Sequence, residues 1–129
     1  MALHKSGEDY LEAVLILGGE TPCVRSIDLA AYLGVTKPSV SRAVSILKND
    51  GLLLMEPGGE LKLTPAGLEV ASSMYERHKL LKAFLIHIGV SPDVAAGDAC
   101  RMEHVISEES FLKLREYAKQ MTEGKTNEL

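Results

Sequence analysis

The chain has 129 residues, 46% of them hydrophobic and 25% charged, with a formal net charge of −4. That composition belongs to one soluble globular domain, or to two small subdomains sharing a core. It holds no apolar run near the length of a membrane span, and Met1-Ala2-Leu3-His4-Lys5 lacks the apolar stretch of a signal peptide.

Cys23 and Cys100 are too few for a disulfide framework and fit a reducing compartment, so a cytoplasmic location is expected. The charge is uneven. It is −3 over residues 1–20, +1 over 21–67 and −2 over 68–129. The middle segment alone has a basic excess, and a polyanion would dock there.

Residues 6–18 read as a helix. Tyr10, Leu11, Val14, Leu15 and Leu17 form its apolar stripe, and Gly18-Gly19 ends it. Asp9 and Glu12 share another face at i, i+3. By themselves they read as acids that complement the positive end of the helix.

Arg25 to Val35 reads as a short helix with Ser26 as N-cap and Gly34 as the breaker. Thr36 to Gly51 reads as a second, capped by Thr36, with Pro38 in its first turn and Asn49-Asp50-Gly51 as the stop. Val40, Val44 and Leu47 make its inner stripe, which leaves Lys37, Ser39, Ser41, Arg42, Ser45 and Lys48 facing out. Two helices around a tight glycine turn, the second small, polar and basic outside, form a helix-turn-helix. Leu52 to Glu56 and Glu60 to Leu63, joined by Pro57-Gly58-Gly59, read as a β-hairpin. A hairpin in that place is the wing of a winged helix.

Thr64-Pro65 opens a long helix through about His87, with Val70, Met74, Leu80/Leu81, Phe84/Leu85 and Ile88 as its stripe. It is longer than one small wing domain needs, so an interface is expected on it. Gly89 to Pro92 breaks it, and Ser91 caps a helix that continues to Val105-Ile106. Ser107-Glu108-Glu109 caps a last helix with Phe111, Leu114, Ala118 and Met121 on its apolar face, and Glu123 to Leu129 reads as a frayed tail.

In the fifth helix Cys100, Glu103 and His104 stand at i, i+3, i+4 and share one face. A thiol, a carboxylate and an imidazole are common transition-metal donors. The competing readings are a buried cysteine and an ordinary surface Glu-His pair.

In this order and register, five stretches resemble the diphtheria toxin repressor and manganese transport regulator family of metal-dependent repressors. They are Glu8-Asp9-Tyr10-Leu11-Glu12, Val35 to Ser41, Leu63-Thr64-Pro65-Ala66-Gly67, Arg77-His78-Lys79-Leu80-Leu81 and Ala99 to Ser107. The resemblance implies a mainly α fold, with a winged helix-turn-helix DNA-binding domain over residues 1–67. A helical dimerisation and metal-binding domain over 68–129 follows. It implies a homodimer on a palindromic double-stranded operator and a short form without the SH3-like third domain. It carries metal ligands onto Asp9, Glu12, His78, Cys100, Glu103 and His104, and leaves His4 and His87 outside the set. The best candidates for DNA contact are Lys37, Pro38, Ser39, Ser41 and Arg42.

The pattern is a hybrid. Manganese-type members have a carboxylate where Cys100 stands. Iron-type members have the cysteine, but a methionine in place of Asp9 and no acid at Glu12. The expected cofactor is Mn²⁺ or Fe²⁺, with Co²⁺, Ni²⁺ or Zn²⁺ as substitutes, and a thiolate softens the site away from Mn²⁺. Lys82 and Ala96 replace residues that serve a second metal site in relatives. Two other readings compete: a winged-helix regulator whose vestigial site senses another ligand, and a small metal-dependent hydrolase. No phosphate-binding glycine loop or nucleophile elbow supports the hydrolase reading, so no enzymatic activity is expected.

Overall fold

The computed structural model describes residues 5–124, with side chains from Ser6 to Gln120. The chain forms two compact units, Met1–Met74 and Tyr75–Leu129. His4, the Met121 side chain and residues 125–129 of the expected tail lie outside the described residues.

The first unit opens with α1 (Lys5–Gly18), α2 (Ser26–Leu33) and α3 (Lys37–Asn49). Leu11, Leu29, Val40, Val44, Leu47, Leu53 and Leu61 meet in one apolar core. The α3 stripe is buried as its spacing required, at i, i+4 and i+7. Thr36 caps α3: its Oγ1 accepts from the Ser39 N–H at 3.3 Å, and Pro38 sits in the first turn. Gly34 takes the left-handed conformation (φ 68°) that ends α2 and makes the tight turn possible. The N-cap of α2 is Arg25, not Ser26. The Asp28 carboxylate accepts from the Arg25 N–H at 2.8 Å and satisfies the helix start from inside, so a serine cap is not needed.

The wing is a two-stranded antiparallel sheet, β1 (Leu53–Met55) and β2 (Leu61–Leu63), with Leu53 opposite Leu63 and Met55 opposite Leu61. Gly58 and Gly59, both at φ 93°, turn the chain between them. Immediately after the wing comes α4 (Pro65–His87), and the division between the units falls inside it.

The start of α4 is tied to the turn that follows α3. Thr64 Oγ1 donates to the Gly51 carbonyl at 2.7 Å and accepts from the Gly67 N–H at 3.0 Å, while the Thr64 N–H donates to the Leu52 carbonyl. Gly67 is buried against that carbonyl. A Cβ there would stand 2.0 Å from the Leu52 oxygen.

The second unit holds the rest of α4 with α5 (Pro92–Met102) and α6 (Glu108–Gly124). Leu81, Ala95, Ala99 and Phe111 are its buried apolar residues, joined by two buried charged ones, Arg77 and Glu103. Three expectations need correction. Ile88 lies past the end of α4 and is exposed, because the turn at Gly89 (φ 109°) has already begun to redirect the chain. Helix α5 stops at Met102 rather than Ile106. Val105 and Ile106 both turn back to the Met102 carbonyl, and Val105 is among the most exposed apolar residues described. Glu123 and Gly124, read as the start of the tail, are helical. Ser91 holds the N-cap position of α5, but its hydroxyl makes no cap bond, whereas Ser107 caps α6 through the Ser110 N–H at 3.0 Å.

Candidate metal centre and nucleic-acid interface

The second unit builds its polar cluster at the end of α5. Glu103 follows the last helical residue but keeps right-handed geometry (φ −61°, ψ −25°), and its N–H still donates to the Ala99 carbonyl. The helical spacing therefore survives past the formal end of α5, and Cys100, Glu103 and His104 converge. One donor atom from each lies within 4.8 Å of the others.

Glu103 is fully buried and is the centre of the group. Its Oε1 lies 2.9 Å from Nδ1 of His78, on α4, and its Oε2 lies 3.4 Å from Nε2 of His104. The His104 side chain is also nearly fully buried, the His78 ring is partly open, and Cys100 is at the surface. A carboxylate taken out of water needs compensating partners, and here it has imidazoles on both oxygens. The contact with His78 is a hydrogen bond, the one with His104 is an ion-pair distance, and both bring nitrogen lone pairs of the kind that ligate metals beside one carboxylate. Cys100, Glu103 and His104 form one donor group and His78 with Glu103 a second, both on the same carboxylate, and these donor types suit a divalent transition metal.

In the first unit, Asp9 and Glu12 stand nearly one turn apart on α1, Asp9 half-buried and Glu12 buried. Burial of Glu12 goes beyond what the helix-dipole reading requires, since acids serving a dipole are solvated. On α3, Lys37, Pro38, Ser41, Arg42, Ser45 and Lys48 are exposed. Ser39 is half-buried, and its hydroxyl accepts from Thr36 Oγ1 at 2.9 Å as part of the cap.

Residues 2–61 match the family model described as the iron dependent repressor, N-terminal DNA binding domain. Residues 64–126 match the one described as the iron dependent repressor, metal binding and dimerisation domain. The transcriptional regulator MntR of Escherichia coli O6:H1 is 39% identical over 104 residues, which is 81% of this chain and 67% of that protein. The HTH-type transcriptional regulator MntR of Lysinibacillus sphaericus is 33% identical, covering 92% of this chain and 86% of that one. The chain belongs to the diphtheria toxin repressor and manganese transport regulator family of metal-dependent transcriptional repressors.

Among solved structures, the manganese regulator SloR superposes with a TM-score of 0.79 at 28% identity, over 92% of this chain. This chain spans about half of that one, 55% of its length. Family membership accounts for a mainly α fold with a winged helix-turn-helix at its start, both of which the coordinates show. Among the described residues, no helix is long and apolar enough to cross a membrane.

Arg77, beside His78, carries no role that its residue type and spacing alone reveal. Arg77 sits between Met74 and Leu81 on the inward side of α4, at positions i, i+3 and i+7, and all three are buried. An arginine in the middle of an apolar stripe was the available signal, because a buried charge must have partners.

Proposed function

We propose that the chain is a metal-linked, DNA-binding repressor of metal-ion homeostasis that acts as a cytoplasmic homodimer. Residues 1–67 form the DNA-binding part and 68–129 the dimerisation and metal-binding part. The observation that carries the reading is the His78–Glu103–His104 cluster with Cys100 beside it, in a chain whose other unit presents a basic helix-turn-helix.

In this reading His78, Cys100, Glu103 and His104 are ligands, and Asp9 and Glu12 complete the set from α1. A bound divalent metal supplies the common anchor for donors on different helices. Glu103 orients both imidazoles before binding, and Asp9 and Glu12 make the position of α1 sensitive to occupancy. Lys37, Pro38, Ser39, Ser41 and Arg42 meet the DNA, with α3 as the helix that enters the major groove. A two-fold dimer then requires a palindromic operator. Linkage is reciprocal: the factor by which metal tightens operator binding is the factor by which operator tightens metal binding. With these donors committed to metal, little room remains for a substrate, which favours a regulator over an enzyme.

The deciding experiment selects a duplex from a random pool with the metal-loaded protein, then titrates metal against binding of that duplex. Binding that appears only with metal supports the reading, and binding indifferent to metal refutes it.

Two predictions arise at this point. Arg42→Ala should weaken binding to the selected duplex and flatten the slope of log affinity against log salt by about one per lost phosphate contact. Metal binding and dimerisation should be unchanged. An unchanged salt slope would remove Arg42 from the interface.

Cys100→Glu should shift the activation preference toward Mn²⁺. The metal is Mn²⁺ or Fe²⁺ in the proposed function, with Co²⁺, Ni²⁺ and Zn²⁺ able to substitute, and the thiolate is the one soft donor. The substitution replaces it with a hard one of equal charge, and the surface position of Cys100 gives the longer side chain room. Anaerobic titrations with Mn²⁺, Fe²⁺ and Co²⁺ check this. An unchanged ratio of activating concentrations means that Cys100 does not set selectivity.

A further inference from the structure

Glu103 and His104 sit just past the C-terminus of α5, where the chain leaves helical geometry and the last carbonyls lose their helical partners. Something must hold that turn if two ligands are to stay in register. The main chain of the turn 103–106 is held from α4 by the Arg77 side chain. Arg77 Nη1 donates to the Glu103 carbonyl at 3.2 Å and to the Ile106 carbonyl at 2.7 Å. Its Nη2 donates to Glu108 Oε1 at 3.0 Å, in the first turn of α6, and the guanidinium lies 5.3 Å from the Phe111 ring centroid.

The next residue along α4, His78, holds the side chain of the same Glu103 at 2.9 Å. Consecutive residues of one helix thus grip one glutamate, Arg77 by its main chain and His78 by its carboxylate. The guanidinium also brings positive charge to the negative end of α5.

We infer that Arg77 is a positioning residue, which sets the ligand-bearing turn in its metal-ready conformation. The inference rests on the reading of His78, Cys100, Glu103 and His104 as metal ligands. A planar fork can serve two carbonyls and a carboxylate at once. A lysine keeps the charge and the apolar stem but has one nitrogen, and cannot span all three acceptors.

The test compares Arg77→Lys with wild type by Co²⁺ and Mn²⁺ titration, by the Co²⁺ absorption spectrum and by melting without metal. Groups that orient metal ligands typically contribute 10- to 100-fold to affinity, so Arg77→Lys should bind both ions about 10-fold or more weakly. The sulfur-to-cobalt band should be altered as well, since the turn that carries the histidine and glutamate shifts relative to Cys100. Leu81→Val serves as the control for general loosening: it thins the buried packing of the unit without touching the turn. Its Co²⁺ spectrum should match wild type. Glu108→Gln, whose side chain is mostly exposed, removes one charged anchor of Arg77 without disturbing the core and should weaken metal binding a few-fold.

Wild-type affinity and spectrum in Arg77→Lys overturn the inference. So does a Leu81→Val protein that loses as much affinity at equal destabilisation. If Arg77→Lys does not fold, Glu108→Gln decides, and unchanged metal affinity there overturns it. Failure of the wild-type protein to bind Co²⁺ or Mn²⁺ refutes the metal-centre reading itself, a different outcome from any of these.

Discussion

Glu103→Gln should keep the fold and remove the metal response. Glutamine matches glutamate in shape, so the buried volume at 0% exposure is preserved, and the main-chain bonds from Arg77 and to Ala99 do not depend on the carboxylate. What is lost is the anionic donor that both imidazoles face. A neutral amide is a poor ligand for a divalent transition metal, and loss of an outer-shell partner alone costs 10- to 100-fold in affinity, so loss of this donor should cost more than about 100-fold. The consequence is measurable without knowing the operator. A ligand present at 100 times its dissociation constant stabilises the native state by about 2.7 kcal/mol. Wild type should show that increment on adding Mn²⁺ or Co²⁺, and Glu103→Gln should show less than about 0.4 kcal/mol at the same concentration. Circular dichroism should report equal helix content for both. A mutant that melts with the same metal-induced increment as wild type would place the metal elsewhere.

Gly67→Ala is expected to be strongly destabilising for a single added methyl group. The added Cβ would meet the Leu52 carbonyl oxygen at 2.0 Å, and the obstacle is backbone, not a side chain that can swing away. To relieve it, the first turn of α4 must lift from the Gly51-Leu52 turn. That movement strains the Thr64 bonds to the Gly51 and Leu52 carbonyls. Overpacking typically costs 1–3 kcal/mol, and a backbone collision should reach about 3 kcal/mol or more, a large share of a stability of roughly 5–15 kcal/mol. Gly18→Ala is the control. It ends α1 with nothing within 4 Å of a new Cβ, and should be neutral or slightly stabilising. Urea denaturation of both proteins tests the pair, and equal midpoints would show that the α3–α4 junction is looser than its geometry. The junction also bears on function, because it links the C-terminal end of the proposed DNA-reading helix to the helix that carries His78.

Much of the local structure was legible from residue order alone. The α3 stripe of Val40, Val44 and Leu47, the Thr36 cap, the Gly34 turn and the Pro-Gly-Gly wing each follow from a short-range rule: helical period, a hydroxyl reaching its own helix start, a backbone angle that glycine adopts freely. The spacing of Cys100, Glu103 and His104 was legible for the same reason, as the helical repeat brings such residues together wherever the backbone stays right-handed. Local rules failed where two rival partners competed for one backbone group. Asp28 displaced Ser26 at the start of α2, and the Met102 carbonyl drew back both Val105 and Ile106, which ended α5 early.

The sequence by itself determined the type and order of the elements, the basic excess of residues 21–67, and the family. Only the tertiary structure decided that His78 and Glu103, 25 residues apart in sequence, lie 2.9 Å apart, that Glu103 is fully buried, and that Gly67 packs against the Leu52 carbonyl. It alone showed that Arg77 bonds the Glu103 and Ile106 carbonyls across the turn after α5. The physical reason is range. Propensity, capping and period act within a turn or two of the chain, whereas the burial of a charge depends on which distant segments close over it, and that is settled only when the packing is complete.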